Sequence, residues 1–149
     1  MAIKLSEEVQ DEIIDFSQEQ YPNQTTGFLF GIGGKLKIAN EVKFVNNTAS
    51  DQIDGYQINE KDYLNAELYA VKNQVELLGV YHSSQKHFAV PTEKDLSSAL
   101  PNFSYIKVSL FNRRVSDLKS WTLNDFNIFQ KEQVKLPEFD FSENELQTA

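Results

Sequence analysis

The most regular pattern in the chain is a row of aliphatic residues near its middle. Its members, at intervals of 4, 3, 4 and 3 residues, are Leu64, Leu68, Val71, Val75 and Leu78. Such intervals place side chains on one face of an α-helix, and Asn59 is a suitable N-cap just before the row. We therefore predict a long helix that begins after Asn59 and buries this apolar face in the core.

Shorter patterns surround this helix. Ser6 is a suitable N-cap for a first helix whose apolar face carries Val9, Ile13, Ile14 and Phe16. Polar residues 46–55 predict a loop, and a third, short helix is predicted to begin at 92–95 and to end before 101. Apolar or alternating segments predict strands at residues 27–31, 35–45, 80–81, 105–111, 118–123 and 127–130. Together these elements predict one α+β domain over residues 1–136, followed by an acidic tail at 137–149.

Composition limits the kinds of function that the chain can serve. Its 149 residues include no cysteine, which excludes disulfides, a thiolate zinc site and a thiol nucleophile. The net charge of -8 argues against a nucleic-acid partner and favours a protein partner with a basic surface. The N-terminus lacks the apolar region of a signal peptide, and no apolar run approaches membrane-spanning length. We therefore expect a cytoplasmic protein with no membrane contact.

The segment from Gly79 to Asp95 carries the most specific motif. Gly-Val-Tyr leads into His82-Ser83-Ser84, and seven intervening residues separate Ser84 from Thr92-Glu-Lys-Asp95. Upstream, Gln24 stands three residues before a Gly-Phe-Leu-Phe-Gly strand. In this order the motifs resemble the JAB/MPN domain family of JAMM metalloproteases, especially its small prokaryotic members. The resemblance covers nearly the whole chain and implies a mixed central β-sheet flanked by a long helix and shorter helices.

The resemblance assigns a role to each matching position. In active members a glutamate precedes the Gly-x-Leu-x-Gly strand, and His-x-His with a later Ser-x-x-Asp completes the site. His82 matches the first metal histidine, Ser83 the serine that follows it, and Asp95 the last metal ligand. Thr92 matches the serine that assists the oxyanion. The remaining two positions are substituted, because Ser84 replaces the second histidine and Gln24 replaces the glutamate.

These two substitutions remove groups that zinc hydrolysis needs. A catalytic zinc is normally held by three protein ligands, with water in the fourth position. A serine hydroxyl at Ser84 is a poor replacement for imidazole, and the amide of Gln24 cannot take up a proton near neutral pH. Loss of a positioned general base alone typically lowers the rate by about 10²- to 10⁴-fold. JAMM peptidase activity is therefore not expected, and neither is a cofactor.

Each retained residue also has a structural explanation. Thr92 and Asp95 have the spacing of a helix-capping pair. His82 follows an apolar strand and would then be a buried, hydrogen-bonded histidine. His87 matches no family position, and as a loop histidine it is either solvated or a replacement for the missing ligand.

Three functions follow from these alternatives. The leading hypothesis is a catalytically inactive JAB/MPN-like domain that acts as a protein-binding or scaffolding module. Its expected partner is a protein, for example a ubiquitin-like or sulfur-carrier protein or another JAB/MPN domain. The alternative is a zinc metallopeptidase that acts on tails of such proteins, with His82, Asp95 and either Ser84 or His87 as ligands and Glu93 or a water relay as base. The third is a structural domain whose function lies in homo-oligomer contacts.

Overall fold

Seven strands and two helices make up the described part of the chain. The computed structural model describes residues 2–85, 89–92, 95 and 99–137. In chain order the elements are β1 (Ala2–Leu5), α1 (Glu7–Gln20), β2 (Thr26–Ile32), β3 (Leu36–Val45), α2 (Glu60–Asn73), β4 (Glu76–Ser84), β5 (Ser104–Phe111), β6 (Arg114–Leu123) and β7 (Phe129–Lys135). Asp95 has helical backbone geometry, but most of the predicted third helix lies outside the described residues.

The strands form one sheet of mixed direction. Their order is β1-β3-β2-β4-β5-β6-β7, and β7 pairs with β1 to close the sheet as a barrel. The pairs β1–β3, β1–β7 and β4–β5 are parallel, and the other pairs are antiparallel. This arrangement confirms the predicted α+β fold with a mixed sheet.

The two helices cover different faces of the sheet. Side chains alternate between the faces of a strand, so neighbouring residues of β4 enter different cores. Tyr81 joins the core under α1, whereas Val80 joins the core under α2. In β2, Leu29 packs on the α1 side, whereas Phe28 and Phe30 pack on the α2 side. The motif strand β4 is therefore buried on both faces.

Helix α1 forms as its sequence predicts. The Ser6 hydroxyl accepts a hydrogen bond from the backbone N–H of Val9 at 3.2 Å, which satisfies one of the free amides of the first turn. Val9, Ile13 and Ile14 are buried, and Phe16 is half-buried against Phe44. The predicted apolar face of the first helix is confirmed.

The prediction for the second helix is right about its start and wrong about its packing. Asn59 caps α2, but Leu64, Leu68 and Val71 are 55%, 59% and 80% exposed. The helix ends at Asn73, so Val75 lies beyond it, and Leu78 is buried in β4 instead.

Small side chains on the other side of α2 explain this packing. The buried helix residues are Ala66 and Ala70, flanked by the half-buried Tyr63 and Tyr69. Alanine lets the helix axis approach the sheet closely, and the two tyrosines fill the space on either side against Phe28 and Phe30. The periodic row therefore identifies a helix without identifying its buried face.

Other boundaries also differ from the predictions. Strand β1 is not predicted, and β4 spans nine residues, Glu76–Ser84, instead of the two predicted. In β3 the lysine, not the leucine, is buried: Lys37 is 7% exposed and Leu36 is 37% exposed. The Lys37 ammonium donates to the carbonyl oxygen of Asn102 at 3.0 Å and to the Ser104 hydroxyl at 2.8 Å. These two acceptors compensate for its burial.

The proposed division between domain and tail stays a prediction, because residues 138–149 lie outside the described part of the chain. Within the described residues, neither helix has the length and apolar character needed to cross a membrane.

Gly79 offers a test of how closely β4 and β5 approach each other. It lies opposite Ser104 in the parallel register, and a β-carbon at Gly79 would collide with the Ser104 backbone. Because this contact is with backbone rather than with a flexible side chain, we expect Gly79→Ala to lower the free energy of unfolding by about 2–3 kcal/mol. Urea unfolding measures the change. Gly55→Ala is the control, since its nearest neighbour would be the Asp51 carbonyl oxygen at 3.6 Å. Equal stability of the two variants would contradict this packing.

Candidate site around His82 and Asp95

Four parts of the chain bring polar side chains together on the α2 side of the sheet. His82 lies near the end of β4, and Lys107 lies directly opposite it in the parallel register of β5. Asp95 approaches from the segment that follows β4. Tyr56, from the loop before α2, stacks on the His82 ring with 4.1 Å between ring centroids. The site is thus a short stack of a tyrosine, a histidine, a carboxylate and an ammonium.

Asp95 is the centre of the contacts in this stack. One carboxylate oxygen, Oδ1, lies 3.5 Å from His82 Nε2. The other, Oδ2, lies 3.2 Å from Lys107 Nζ, which also donates to the Val90 carbonyl oxygen at 2.9 Å. His82 and Lys107 are both only 4% exposed. Asp95 therefore has a fixed positive counter-charge in a largely dehydrated setting.

Thr92 and Asp95 form the capping pair that their spacing suggests. The Asp95 carboxylate accepts a hydrogen bond from the Thr92 backbone N–H at 2.8 Å, and the Thr92 hydroxyl oxygen accepts one from the Asp95 N–H at 3.2 Å. These reciprocal bonds confirm the capping hypothesis. The role of Thr92 at an oxyanion stays a prediction, because its hydroxyl hydrogen can still be donated elsewhere.

Burial and charge set the protonation states. Burial lowers the pKa of His82 to about 4; the nearby Asp95 carboxylate opposes this decrease, and Lys107 adds a smaller decrease of its own. Burial alone would raise the pKa of Asp95, but His82, Lys107 and the Thr92 N–H together hold that pKa below its usual value. At neutral pH the His82 imidazole is therefore neutral and Asp95 is a carboxylate. His82 Nδ1 has no hydrogen-bond partner among the described atoms.

Aromatic side chains leave little free space in the site. The cavity holds about 10 Å³, which accommodates a single water molecule at most. Its walls are Tyr56, His82, Pro91, Asp95, Tyr105, Lys107, Trp121 and Phe129. A site that admits a substrate is normally several hundred Å³ in volume.

Strand β6 holds the segment between His82 and Asp95 in place. The Asp117 carboxylate accepts a hydrogen bond from the Ala89 N–H at 3.0 Å. The Trp121 indole N–H donates to the Ala89 carbonyl oxygen at 2.9 Å. Both backbone groups of Ala89 are therefore satisfied by side chains of the sheet, which fixes the approach of the following residues.

Gln24 lies outside this stack. Its side-chain amide donates to the Ile53 carbonyl oxygen at 3.3 Å, and its backbone carbonyl accepts a hydrogen bond from the Asn47 side chain at 3.0 Å. It lines a separate space of about 360 Å³ with Phe16 and Asn47 among its neighbours. These contacts give Gln24 a structural role in holding the loop at 46–55 against the start of β2.

The two serines after His82 face opposite sides of the sheet. The Ser83 hydroxyl accepts from the Thr25 N–H at 2.8 Å and lies 2.9 Å from the Thr25 hydroxyl, in a buried cluster with Tyr81. Ser83 therefore ties β4 to the start of β2 and does not join Asp95. Ser84 is buried two residues after His82, on the same side of the strand. His87 and Glu93 lie outside the described residues.

The donor set does not fit a catalytic zinc. The separation of His82 Nε2 and Asp95 Oδ1, 3.5 Å, would suit neighbouring zinc ligands about 2.0–2.1 Å from the metal. However, no group of three acidic, histidine or cysteine residues in the described ranges could hold a metal ion. The Lys107 ammonium also neutralises the carboxylate that a metal would need. Two donors and an adjacent cation fall short of the usual three ligands.

The sequence analysis gives no site role to three residues that shape the site. Lys107 and Trp121 fall within the predicted strands at 105–111 and 118–123, and Tyr56 directly follows the predicted loop at 46–55. One signal was available for Lys107, because a charged residue in the middle of Tyr105–Phe111 must find a buried partner. The stacking of Tyr56 depends on a long-range approach that local sequence does not encode.

Comparison with known proteins agrees with this architecture. The sequence model for prokaryotic homologs of the JAB domain matches residues 6–124. A protein from Desulfitobacterium hafniense, solved in solution, superposes with a TM-score of 0.78 at 23% identity, covering 95% of this chain and 97% of that one. A solution structure from Salinibacter ruber gives a TM-score of 0.68 at 26% identity, with 91% and 92% covered.

A JAB1/MPN domain protein from Archaeoglobus fulgidus is more distant. Its crystal structure superposes with a TM-score of 0.60 at 14% identity, covering 91% of this chain and 98% of that one. No curated protein sequence matches the chain.

The low pKa of His82 predicts a loss of stability in mild acid. In the unfolded chain histidine has a pKa of about 6.5, so acid protonates the unfolded state while folded His82 stays neutral until about pH 4. Between pH 7.5 and 5.5 this linkage removes about 1.4 kcal/mol of the free energy of unfolding. Urea unfolding of His82→Gln should therefore show a smaller decrease than the wild type over this range.

His87→Gln is the matched control, because His82 and His87 are the two histidines of the chain. It should retain the decrease seen in the wild type. If His87→Gln abolishes that decrease and His82→Gln preserves it, the assignment to His82 is wrong.

Proposed function

Because the chain belongs to the family of prokaryotic homologs of the JAB domain, we propose that it is a catalytically inactive member that acts as a protein-binding or scaffolding module. The observation that carries this proposal is the ion pair between Lys107 and Asp95. It places a lysine side chain of the protein on the carboxylate that, in the family resemblance, ligates the metal.

Electrostatics oppose a metal ion beside this pair. An ammonium 3.2 Å from Asp95 Oδ2 satisfies much of the carboxylate's charge and repels a divalent cation. Ser84 supplies a neutral hydroxyl where the resemblance expects imidazole, and a hydroxyl is a weak zinc ligand. His82 and Asp95 then remain together for a structural reason, since the carboxylate faces the buried imidazole and caps the following segment.

The position of the general base supports the same conclusion. Gln24 cannot exchange a proton near neutral pH, and its amide donates to the Ile53 carbonyl oxygen. The cavity beside His82, about 10 Å³, leaves no room for a peptide group. Substrate entry would require Tyr56 or Trp121 to move. This would break the stacking of Tyr56 on His82 or the hydrogen bond from Trp121 to Ala89.

The family and the charge suggest the class of partner. We propose a protein partner, either a ubiquitin-like or sulfur-carrier protein or another JAB/MPN domain, in the cytoplasm. The net charge of -8 favours a partner with a basic face and disfavours nucleic acid. Next to the closed site, Val90 and Leu100 are 52% and 43% exposed. These apolar side chains provide contact area that does not depend on a metal.

One observation favours the alternative function. The 3.5 Å separation of His82 Nε2 and Asp95 Oδ1 leaves two donors at the spacing of neighbouring zinc ligands. A metallopeptidase with a non-standard site would need a third ligand from Ser84 or His87 and a base such as Glu93. That function requires stoichiometric metal, whereas the proposed one does not.

Metal content separates the two functions. We expect the wild-type protein, exposed to excess zinc at neutral pH and then dialysed, to retain only substoichiometric zinc by elemental analysis. The physical reason is the shortage of ligands and the charge of Lys107. One zinc per chain that is lost in both His82→Ala and Asp95→Ala would contradict the proposal and support the metallopeptidase.

A rescue experiment tests the specific role of Lys107. Restoring the expected ligand and base with Gln24→Glu and Ser84→His should not be sufficient for tight zinc binding, because the ammonium remains beside Asp95. Adding Lys107→Met should increase zinc affinity by at least about tenfold, since it removes the competing charge at nearly equal length. Calorimetric zinc titration measures the difference.

The control adds Lys131→Met, which removes an exposed lysine of β7, to the same double variant. It should leave zinc affinity unchanged. Tight zinc binding by the double variant with Lys107 intact would show that Lys107 does not oppose the metal.

A further inference from the structure

The outer face of the sheet carries basic and apolar side chains next to each other where β7, β1, β3 and β2 adjoin. In the register of the barrel, Lys4 lies beside Lys135 on one side and beside Ile38 on the other. Ile38 in turn lies directly opposite Ile32. Residues that lie side by side in a sheet point to the same face. These four side chains therefore form one row across four strands.

This row points to solvent. The residues that alternate with it, such as Ile3 and Ala39, point into the core. Ile32 is 59% exposed, and Leu36, two residues before Ile38 on the same face, is 37% exposed. The lysines of the row and Lys131, on the same face of β7, are exposed as well. We call this surface the lysine face; it consists of Ile32, Leu36, Ile38, Lys4, Lys131 and Lys135.

The charge of the lysine face is opposite to that of the chain as a whole. The net charge of the chain is -8, yet Lys4, Lys131 and Lys135 form no ion pair with a described residue. The nearby Lys119 differs, because a carboxylate oxygen of Asp117 lies 3.3 Å from its Nζ. Three unpaired lysines beside exposed isoleucine and leucine suit a segment that is both acidic and apolar.

Such a segment begins beside this face. Strand β7 ends at Lys135, and residues 138–149 follow two residues later. They include four acidic side chains and no basic one, and Phe139 and Phe141 alternate with acidic residues. In an extended conformation both phenylalanines point to one side. Lysine side chains are long enough to reach carboxylates at the edge of an apolar contact.

The lysine face is within reach of this segment. Neighbouring strands lie about 4.8 Å apart, so Ile38 lies about 10 Å and Ile32 about 14 Å from Lys135 across the sheet. An extended chain covers about 3.3 Å per residue, which allows Phe139 about 13 Å and Phe141 about 20 Å from Lys135. Because the segment is tethered, its effective concentration at the face is about millimolar, and docking does not cost the translational entropy of a separate partner.

We propose that residues 138–149 fold back over the lysine face, with Phe139 and Phe141 on Ile32 and Ile38 and with the carboxylates beside the lysines. This inference goes beyond the proposed function and does not depend on the candidate metal site. While it is docked, the segment shields the isoleucines from water and blocks the lysine face for any acidic partner.

Charge favours this face over the other exposed apolar surface, the stripe of Leu64, Leu68 and Val71 on α2. Helix α2 carries three acidic and two basic side chains, so an acidic segment gains no net attraction there. The lysine face has three lysines and no acidic member. The two surfaces therefore differ in a way that experiment can separate.

Nuclear Overhauser effects in the full chain test the contact. We expect them between the ring protons of Phe139 and Phe141 and the methyl groups of Ile32 and Ile38. Combining Phe139→Ala with Phe141→Ala should shift both isoleucine methyl resonances, because the ring currents of the docked phenylalanines are lost. The matched control is Phe126→Ala, which removes an 82% exposed ring of the turn between β6 and β7 and should leave both resonances in place.

Three outcomes would overturn the proposal. One is the absence of these effects, and another is effects from the two rings to Leu64 and Leu68 on α2. The third is effects between differently labelled chains in a mixed sample, because the segment would then occupy the face of a second copy.

Neutralised lysines test the electrostatic part of the contact. The Ile32 methyl shift measures the docked fraction, and the double-alanine variant gives the undocked reference. Combining Lys4→Gln with Lys135→Gln should raise the ratio of undocked to docked segment by about fivefold at low salt, because two exposed charge pairs are lost. The control combines Lys61→Gln with Lys72→Gln, which removes two exposed lysines of α2 and should leave the ratio unchanged. Equal ratios in the two variants would contradict the choice of this face.

Discussion

The ion pair between Lys107 and Asp95 determines what the site can be. A carboxylate in a largely dehydrated position needs a cation or several donors to remain ionised. Lys107 provides the cation from the middle of β5. Its second bond, to the Val90 carbonyl oxygen, attaches the segment before Asp95 to the sheet. The same charge that stabilises this segment discourages a metal ion at the carboxylate.

The chain has the fold of the family, whereas two positions of the family's site, Gln24 and Ser84, carry other residues. His82 and Asp95 retain the contact expected of neighbouring ligands, yet the residues around them have other tasks. Thr92 caps the segment at Asp95, and Gln24 supports the loop at 46–55. Under the proposed function, binding depends on the surface of the domain and not on a metal.

Most of the helices and strands could be predicted from the sequence, because its local signals agree with the tertiary structure. Ser6 and Asn59 cap helices where predicted, and the buried run around Phe28 forms a strand. The packing of α2 was not predictable in this way. Leucine and valine dominate any hydrophobicity pattern, whereas the sheet selects Ala66 and Ala70 because a close approach requires small side chains. The buried face of any helix that has both a small-residue face and a large-residue face can be misassigned in the same way.

Only the site residues that belong to the sequence motif could be predicted. His82, Thr92 and Asp95 come together as the resemblance implies, whereas Ser83 faces the opposite core, as alternation along β4 requires. The importance of Lys107 could not be derived from the motif, because its contact with Asp95 depends on the parallel register of β4 and β5. Long-range strand pairing of this kind is specified by the whole fold and not by a local pattern.

Side-chain NMR of Lys107 and His82 during a zinc titration tests the central claim most directly. We expect a slowly exchanging Lys107 ammonium, a neutral His82 imidazole at pH 7, and no stoichiometric change in either signal as zinc is added. Saturable shifts of the His82 ring nitrogens at one zinc per chain, with loss of the Lys107 ion pair, would contradict it.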